Sequence, residues 1–265
     1  MSLRNKFFKE VAELGLPVAT EVQAPITEGD IVSLPESAQS YLRFMGVVGR
    51  PRDWSFRMGF SGRFKMSRNA AWKACDVWQY DSGLVVSRIF YMRLRFAGLF
   101  PVIGRDTYRD GKGRMVGKLF DRFTVIDGSG PEFDIGELVT YLNDIVLLAP
   151  SMLLKPAVSW EAADARSFNL ALSDHGHTVK ARVFIDEQGA PIDFATTDRF
   201  CEDAVDRKKL VRTRWTTPMQ AYRMVDGRQL PTCGQAVWHP SEGSFPYVEF
   251  ELDPGKLAFN VRPGE

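Results

Sequence analysis

Cysteine is scarce in this sequence. The 265 residues contain three cysteines, Cys75, Cys201 and Cys233, which are odd in number and lie far apart. They form neither a closely spaced metal-ligand pair nor a disulfide framework of the kind found in small secreted proteins. We therefore expect reduced thiols, with one long-range disulfide as the alternative. Cys75 alternates with large apolar residues, which predicts a packed thiol that nothing nearby in the sequence activates.

Histidine is equally scarce, and two of the three histidines, His175 and His177, lie two residues apart. Two histidines at this spacing on a strand face the same side and can ligate a metal. Gly176 between them and Ser173-Asp174 before them favour a hairpin turn instead. His239 is expected at a strand end. We therefore predict no metal site and no cofactor.

The sequence has no excess charge of either sign. Lysine and arginine number 34, aspartate and glutamate 33, and the formal net charge is +1. A nucleic-acid-binding protein needs a surplus of positive charge to neutralise phosphates. We therefore expect no nucleic-acid partner.

Long hydrophobic runs are also missing. No stretch approaches the ~18 apolar residues of a membrane-spanning helix, and the N-terminus lacks the basic-then-apolar pattern of a signal peptide. The location is unknown from sequence, with the cytoplasm as the default. The abrupt ends at Met1 and Glu265 leave open a natural chain with an upstream anchor, and a membrane-anchored or periplasmic location would then be expected.

Recognised catalytic motifs are absent as well. The sequence contains no glycine-rich phosphate loop, no paired-cysteine motif, no Gly-x-Ser-x-Gly elbow and no His-Glu-x-x-His. The sequence therefore does not identify an enzyme.

The sequence does contain a clear pattern of alternation, which is strictest between Trp54 and Met66. One face of this predicted strand carries large apolar side chains, namely Trp54, Phe56, Met58, Phe60, Phe64 and Met66. The other face carries small or charged residues, including Arg57, Ser61 and Arg63. Period-two alternation of this kind indicates an antiparallel sheet with one solvated face.

Similar segments follow along both halves of the chain. Strands are predicted at 70–80, 86–96, 114–126, 160–163, 167–172, 179–185, 192–200, 210–216, 219–225, 230–238 and 247–252, with an edge strand at 257–261. Short helices are predicted over residues 4–16 and 35–45. The predicted fold is mainly β, a β-rich α+β protein in which a large curved antiparallel sheet or half-barrel is covered by a central helix. We expect residues 1–50 to form a helical segment on the sheet and residues 51–265 to form one continuous domain, with the helix at 134–149 inserted.

The central helix follows the turn at Gly130-Pro131. Asp134 is predicted to cap it, with Glu137 completing a capping box, and Pro150 is predicted to end it. Its apolar positions recur at helical spacing and comprise Ile135, Leu138, Val139, Leu142, Ile145, Val146 and Ala149. The apolar residues 152–154 after it are expected to pack onto another element. Two interpretations stay open, a core helix with a buried linker and a lid over a sheet-lined cavity.

The first functional hypothesis is a binding module for an apolar small molecule or a lipid. The first strands and the helix carry more aromatic and methionine side chains than a thin sheet needs, and ligand pockets are mostly apolar with few polar groups. Arg88 lies within an apolar face and is a candidate for a lipid head group. The candidate ligand-binding residues are Trp54, Phe56, Trp72, Trp78, Arg88, Phe90, Met92, Tyr141 and Leu142.

Two further hypotheses remain. The first is a hydrolase-like enzyme whose site requires five polar residues to meet in one cleft, namely Arg105, Asp106, Tyr108, Asp198 and Arg199. For these residues, ordinary strand-end salt bridges are the competing interpretation. The other hypothesis is a structural or partner-binding domain without catalysis.

Several phrases of the sequence together resemble the DUF6544 or DUF6920 type of bacterial family. The first group is Leu34-Pro35 with Tyr41-Leu42-Arg43 and Val47 to Pro51, and the second is Arg105-Asp106 with Tyr108 and Asp110 to Met115. The third is Gly128 to Glu132 with Glu137-Leu138 and Tyr141-Leu142. The fourth is Tyr222-Arg223 through Gly227, Leu230-Pro231-Thr232, Trp238 and Phe245-Pro246-Tyr247. The resemblance covers the chain from about Leu34 onward and implies no established activity. Members of the family often carry an N-terminal membrane anchor.

The second half of the chain also resembles the LolA type of lipoprotein carrier. The similar features are Asp186 to Gly189 with Pro191, Tyr222-Arg223, Gly227 and Leu230-Pro231-Thr232. This resemblance implies a curved antiparallel half-barrel whose concave, apolar face is covered by helices. A shared fold does not by itself determine function.

Overall fold

The computed structural model describes residues 2–96, 100–203, 206 and 209–265. Its α-helices are α1 (Leu3–Glu13), α2 (Glu28–Ile31), α3 (Glu36–Phe44) and α4 (Pro131–Leu148). A 3₁₀ turn, Pro150–Leu153, follows α4, and a second one is Pro254–Lys256. No helix in the described residues is long and apolar enough to cross a membrane.

The strands of the first half are β1 (Ser55–Phe64), β2 (Lys73–Ser82), β3 (Ser87–Phe96), β4 (Phe100–Arg109), β5 (Lys112–Leu119) and β6 (Phe123–Ser129). Those after α4 are β7 (Val158–Asp164), β8 (Ser167–Asp174), β9 (His177–Ile185), β10 (Pro191–Thr196), β11 (Phe200–Glu202), β12 (Leu210–Arg212), β13 (Arg214–Thr216), β14 (Met219–Val225), β15 (Arg228–His239), β16 (Phe245–Leu252) and β17 (Ala258–Phe259).

Fifteen strands of the described residues form one antiparallel sheet. Its order is β6-β5-β4-β3-β2-β1-β16-β15-β13-β10-β9-β8-β7, with β14 paired to β15 and β17 paired to β1. Strands β11 and β12 form a separate pair. The sheet is not closed. The protein has few helices, and one of them is central. The predicted fold class, a large antiparallel sheet with a central helix, is confirmed.

Helix α4 connects the two ends of the strand order. It follows β6 at one end of the order and precedes β7 at the other. The helix must therefore cross from one end of the sheet to the other. Its apolar residues, including Leu138, Leu142 and Ile145, are fully buried and belong to the same core cluster as Phe56 of β1 and Phe168 of β8. This burial removes water from both elements and favours their packing.

The opposite face of the sheet is covered by α1. Phe7 and Val11 of this helix pack against Tyr80, Ile89 and Tyr91 in a second, separate apolar cluster. Ser2 caps the start of α1, because its hydroxyl accepts a hydrogen bond from the Asn5 amide at 3.1 Å and so satisfies one free donor of the first turn. The first strands are thus packed on both faces, by α1 outside and by α4 inside.

The start of α4 differs from the sequence prediction. The helix begins at Pro131 with Gly130, φ 118°, at the capping position, three residues before the predicted cap. The Asp134 carboxylate instead accepts a hydrogen bond from the Gly113 amide at 2.8 Å and one from Lys112 Nζ at 3.0 Å. Proline is well tolerated in the first helical turn because its missing N–H is not needed there. The predicted capping box is therefore wrong.

Two predicted β segments are also corrected. The single strand predicted at 114–126 is divided, because Phe120 and Asp121 have φ angles of 52° and 59° and form a turn between β5 and β6. Left-handed backbone at two consecutive residues cannot continue a strand. Arg105 and Asp106 lie within β4 rather than at a strand end. The predicted turn at His175-Gly176 is confirmed, with φ angles of 45° and 82° between β8 and β9.

Candidate functional site

A cavity of about 960 Å³ lies between the concave face of the sheet and α4. Apolar side chains of several strands line much of it, among them Met58, Phe60, Val77, Phe90, Met92, Leu94, Val102, Val248, Phe250 and Leu252. Its size lies at the upper end of the ~300–1,000 Å³ typical of small-molecule sites. The cavity is thus large enough for an organic ligand with an extended apolar part.

The register of the strands places these side chains on one face of the sheet. Phe60 of β1 pairs with Val77 of β2, and Val77 pairs with Met92 of β3. Met92 in turn pairs with Gly104 of β4. Because directly paired residues point to the same face of a sheet, these positions form a continuous apolar wall. Gly104 has no side chain and leaves space in that wall.

Helix α4 contributes the polar part of the lining. Glu137, Thr140, Asn143, Asp144 and Leu147 line the cavity, and spacings of three and four residues place them on one side of the helix. Glu137, Asn143 and Asp144 are buried, at 3%, 3% and 7% exposure. The polar side of this helix therefore faces the interior of the protein rather than solvent.

Arg88 of β3 lies opposite these acids and is itself buried. Its Nε donates to Asp144 Oδ2 at 2.7 Å, and its Nη1 donates to Glu137 Oε2 at 3.0 Å. Gln79 Nε2 also donates to Asp144 Oδ2, at 2.7 Å. The Arg88 guanidinium lies 4.8 Å from the centre of the Phe90 ring. Charge-assisted hydrogen bonds of this kind offset part of the cost of burying the ions.

Four carboxyl groups surround Arg88, and burial raises the pKa of each. Burial raises the pKa of Glu137 to about 7, helped by the nearby charge of Asp106 and opposed by Arg88. The pKa of Asp144 is raised by burial against the effect of its Arg88 contact. Burial and the Asp144 charge raise the pKa of Asp81 well above its usual value. This group, here named the carboxyl cluster (Asp81, Asp106, Glu137 and Asp144), holds protons more tightly than carboxyls in water.

The carboxyl cluster has no metal-binding arrangement. Within the described residues, no group of three or more histidine, cysteine and carboxylate side chains could hold a metal ion. Cys75 also lines the cavity, and burial raises the pKa of its thiol to about 11. A thiol of this kind stays protonated at neutral pH and is a weak nucleophile.

A second guanidinium, that of Arg199, lines the cavity after β10. It lies 4.5 Å from the centre of the Trp215 ring and 5.5 Å from that of Trp238. Its Nε is buried without a partner, and in the described part of the chain its side chain makes no hydrogen bond or ion pair. The aromatic contacts position the cation while leaving its N–H groups free.

Five of the fourteen sequence-predicted site residues line the cavity. They are Arg88, Phe90, Met92, Asp106 and Arg199. Phe90 pairs directly with Asp106 across β3 and β4, which places an apolar and a charged group side by side. The structure thus brings together members of both the ligand-binding set and the acid-base set.

The remaining aromatic and apolar candidates lie outside the cavity lining. Trp78 contacts Phe7 and Phe8 of α1 on the convex face, and Trp72 lies beneath Arg63 and Lys65. Phe56, Tyr141 and Leu142 are fully buried in the main core. Trp54 precedes β1, and its backbone amide donates to the Asn260 side chain. Trp78 is therefore on the side of β2 that faces away from the cavity, whereas Trp72 precedes β2.

Three of the five acid-base candidates are held elsewhere. Arg105 pairs with Glu10 of α1 on the convex face. The Tyr108 hydroxyl donates to Asp174 Oδ2 at 2.7 Å. Asp198 accepts from the Lys180 amide and from Arg212, both at 2.8 Å. The five residues therefore do not meet in one cleft, which the enzyme hypothesis requires.

Sequence reasoning missed the role of Glu137, Asp144, Gln79 and Asp81. The sequence predicts only a capping role for Glu137 and no role for the other three. One signal was available, because after its first turn α4 is apolar on nearly all sides and carries its polar residues at 137, 140, 143 and 144. A narrow polar stripe on a helix buried all round points to polar partners in the interior.

The model described as a family of unknown function, DUF6544, matches residues 24–250. The chain belongs to this family. The resemblance found from sequence phrases is thereby confirmed, and the family description names no activity. Among curated proteins, no sequence matches this DUF6544 chain.

Solved structures with some similarity to this DUF6544 chain include three bacterial proteins. A domain described as an outer membrane lipoprotein-sorting protein from Vibrio parahaemolyticus is 10% identical, with a TM-score of 0.37 over 78% of this chain and 85% of that one. A LolA superfamily protein from Nitrosomonas europaea is 11% identical, with a TM-score of 0.40 over 82% and 91%. A beta-barrel-like DUF1849 protein from Brucella abortus is 12% identical, with a TM-score of 0.29 over 78% and 98%. Similarity at this level carries no argument about ligand or activity.

Proposed function

We propose that this protein binds an apolar, lipid-like molecule in the cavity between the curved sheet and α4. The observation that carries the proposal is a cavity of about 960 Å³ whose sheet side is lined by residues such as Phe60, Phe90, Met92 and Phe250. Water in an apolar cavity of this size forms fewer hydrogen bonds than in bulk, so an apolar ligand gains free energy by displacing it.

The polar lining limits where the apolar part of the ligand can lie. Glu137 and Asp144 come from α4, whereas Met92 and Leu94 belong to the facing sheet. A ligand with one polar end and one apolar part fits this division, since its polar atoms can lie beside the polar side chains and its apolar part beside the apolar wall. The wall of the cavity thus favours an amphiphile over a pure hydrocarbon.

The enzyme alternative receives less support from the geometry. Of its five residues, only Asp106 and Arg199 line the cavity. General acid-base catalysis requires the participating groups to lie within hydrogen-bonding reach of one reacting molecule. We therefore favour binding over hydrolysis as the function of this site.

Filling the space at Gly104 tests the proposal. A Cβ added at Gly104 would lie 3.6 Å from Met92 Cε, an ordinary contact, and no backbone atom comes closer. Gly104→Leu therefore places a side chain into the cavity without a backbone clash. Gly104→Ala is the matched control, since it adds a Cβ and changes the cavity little.

The experiment is native mass spectrometry of the purified protein, followed by organic extraction of what it carries and titration with 1-palmitoyl-glycerol. We expect bound amphiphile in the parent protein and in Gly104→Ala, and at least about tenfold weaker binding in Gly104→Leu. Thermal unfolding should show that Gly104→Leu is folded. An unchanged affinity in folded Gly104→Leu, or no binding by the parent protein, would overturn the proposal.

A further inference from the structure

Two opposite charges line the cavity near each other without forming an ion pair. Asp106 comes from the inner face of β4, and Arg199 comes from the segment after β10. Burial raises the pKa of Asp106, and the charges of Arg88 and Arg199 act against that effect. Both side chains line the same cavity, and no hydrogen bond or ion pair joins them.

Neither charge has another partner. In residues 2–96, 100–203, 206 and 209–265, neither the Asp106 carboxylate nor the Arg199 guanidinium forms a hydrogen bond or ion pair. Both side chains are half-buried, and a half-buried charge loses part of its hydration without compensation unless it is paired. An unpaired acceptor and an unpaired donor beside the same cavity therefore point to a group that binds both.

Two other polar side chains of the lining, Arg88 and Asn143, already have partners. Arg88 is bonded to Glu137 and Asp144, and Asn143 donates to the Thr217 hydroxyl at 2.6 Å. Arg88, the head-group candidate suggested by the sequence, is therefore occupied by two acids. The Arg199 guanidinium lines the same cavity without a hydrogen bond or ion pair among the described residues, and it can receive an anionic group.

The charge balance restricts the chemistry of the head group. A purely anionic group at Arg199 would leave Asp106 unpaired and would add negative charge beside Glu137 and Asp144, both of which Arg199 also influences. A purely cationic group at Asp106 would leave Arg199 unpaired and beside a like charge. A group that carries both charges satisfies both side chains at once.

We propose that the cavity binds a zwitterionic amphiphile, with an anionic phosphate at Arg199, an ammonium group at Asp106 and the acyl chain along the Phe60, Met92 and Phe250 wall. This inference rests on the proposed function of the cavity and names the class of ligand that it takes. Bidentate binding of phosphate suits the planar guanidinium of Arg199, and its contacts with two indole rings hold it in place.

The test compares three probes with the same palmitoyl chain below their critical micelle concentrations. They are zwitterionic lysophosphatidylethanolamine, anionic lysophosphatidylglycerol and neutral 1-palmitoyl-glycerol. We expect the Kd of the zwitterionic probe to be at least about tenfold lower than that of either other probe, since it alone pairs both charges. Isothermal titration calorimetry on the full chain measures all three.

Two isosteric variants assign the contacts. Asp106→Asn and Arg199→Gln should each raise the Kd of the zwitterionic probe about tenfold and leave that of 1-palmitoyl-glycerol unchanged. Arg199→Lys keeps the charge and should recover part of the loss. Thermal unfolding identifies any variant that fails to fold, and Arg199→Lys then serves in place of Arg199→Gln.

Three results would overturn the inference. Equal Kd values for the three probes, or tightest binding of the anionic one, would overturn the head-group inference and leave the proposed function standing. Variants that weaken all three probes equally would do the same. Failure of all three probes to bind the parent protein would overturn this inference and the proposed function together.

Discussion

Arg88 Nε of strand β3 lies 2.7 Å from Asp144 Oδ2 of helix α4. The pair is buried, with 5% and 10% of the two side chains exposed, and it joins the sheet to the helix that covers it. Glu137, two helical turns earlier, contacts the same guanidinium. One arginine thus compensates two helix carboxylates, and its removal would leave both without a counter-ion.

We predict that Arg88→Met lowers the free energy of unfolding by about 3–5 kcal/mol, since breaking a buried ion pair leaves uncompensated buried charge. The matched control is Arg93→Met on the same strand. Arg93 pairs with Asp76, but 39% of its side chain is exposed, so the expected loss is below about 1 kcal/mol. Urea unfolding at pH 7 measures both, and equal losses would contradict the prediction.

Glu137 gives the protein a predicted pH dependence. Burial raises its pKa from the usual 4.5 to about 7, so the folded state binds this proton more tightly than the unfolded state. The resulting stabilisation is complete below pH 4.5 and is lost as the pH rises through about 7. Its size is on the order of 3 kcal/mol.

The Glu137→Gln variant removes this proton site while keeping a carbonyl oxygen for Arg88. Between pH 5 and pH 8, the free energy of unfolding should fall by about 2.5 kcal/mol less in Glu137→Gln than in the parent protein. Glu132→Gln, at the start of the same helix, should keep the parent's pH dependence. Urea titrations at both pH values measure this, and parallel curves for the parent and Glu137→Gln would refute the assignment.

The β4–β5 hairpin contacts the β8–β9 hairpin. The Tyr108 hydroxyl of β4 donates to Asp174 of β8 at 2.7 Å. Gly111 lies so near His175 that a Cβ added to it would be 2.5 Å from the His175 Cβ. Gly176, in the facing hairpin, has a comparable φ of 82° and open space around it.

We therefore predict that Gly111→Ala destabilises the protein more than Gly176→Ala. Both variants incur the cost of left-handed backbone, about 1–2 kcal/mol, and only the first adds a steric overlap, with a further cost of about 1–3 kcal/mol. His175→Gly in the Gly111→Ala background should recover that further cost. Equal melting temperatures for Gly111→Ala and Gly176→Ala would show that the hairpins do not meet in solution.

The proposal that residues 51–265 fold as one domain predicts cooperative unfolding. Core residues on both sides of α4 belong to one cluster, including Phe56 of β1 and Phe168 of β8. Phe168→Ala, a change in the second half, should therefore lower the hydrogen-exchange protection of β2 and β3 as much as that of β8 and β9. Loss of protection confined to the second half would indicate two independently folding units.

Local sequence patterns predicted much of the sheet. Alternation at Phe60, Phe64 and Trp78 identified strands correctly, because side chains on a strand alternate between faces whatever the rest of the chain does. The turn at His175-Gly176 was also predictable, since glycine and its polar neighbours adopt left-handed backbone at low cost. The turn at Phe120-Asp121 was missed, because phenylalanine seldom adopts this conformation and gave no local signal.

The sequence by itself determined the strand periodicity, the turns with glycine and the apolar stripe of α4, all of which depend on neighbours in the chain. Only the tertiary structure determined which face of each strand lies toward the cavity. Met92 lines the cavity, whereas Trp78 packs against α1. The tertiary structure also decided that the polar side of α4 met Arg88 rather than water. The reason is physical: a helical or β periodicity relates side chains within one element, whereas burial, pKa and charge pairing depend on partners that are tens of residues away in sequence.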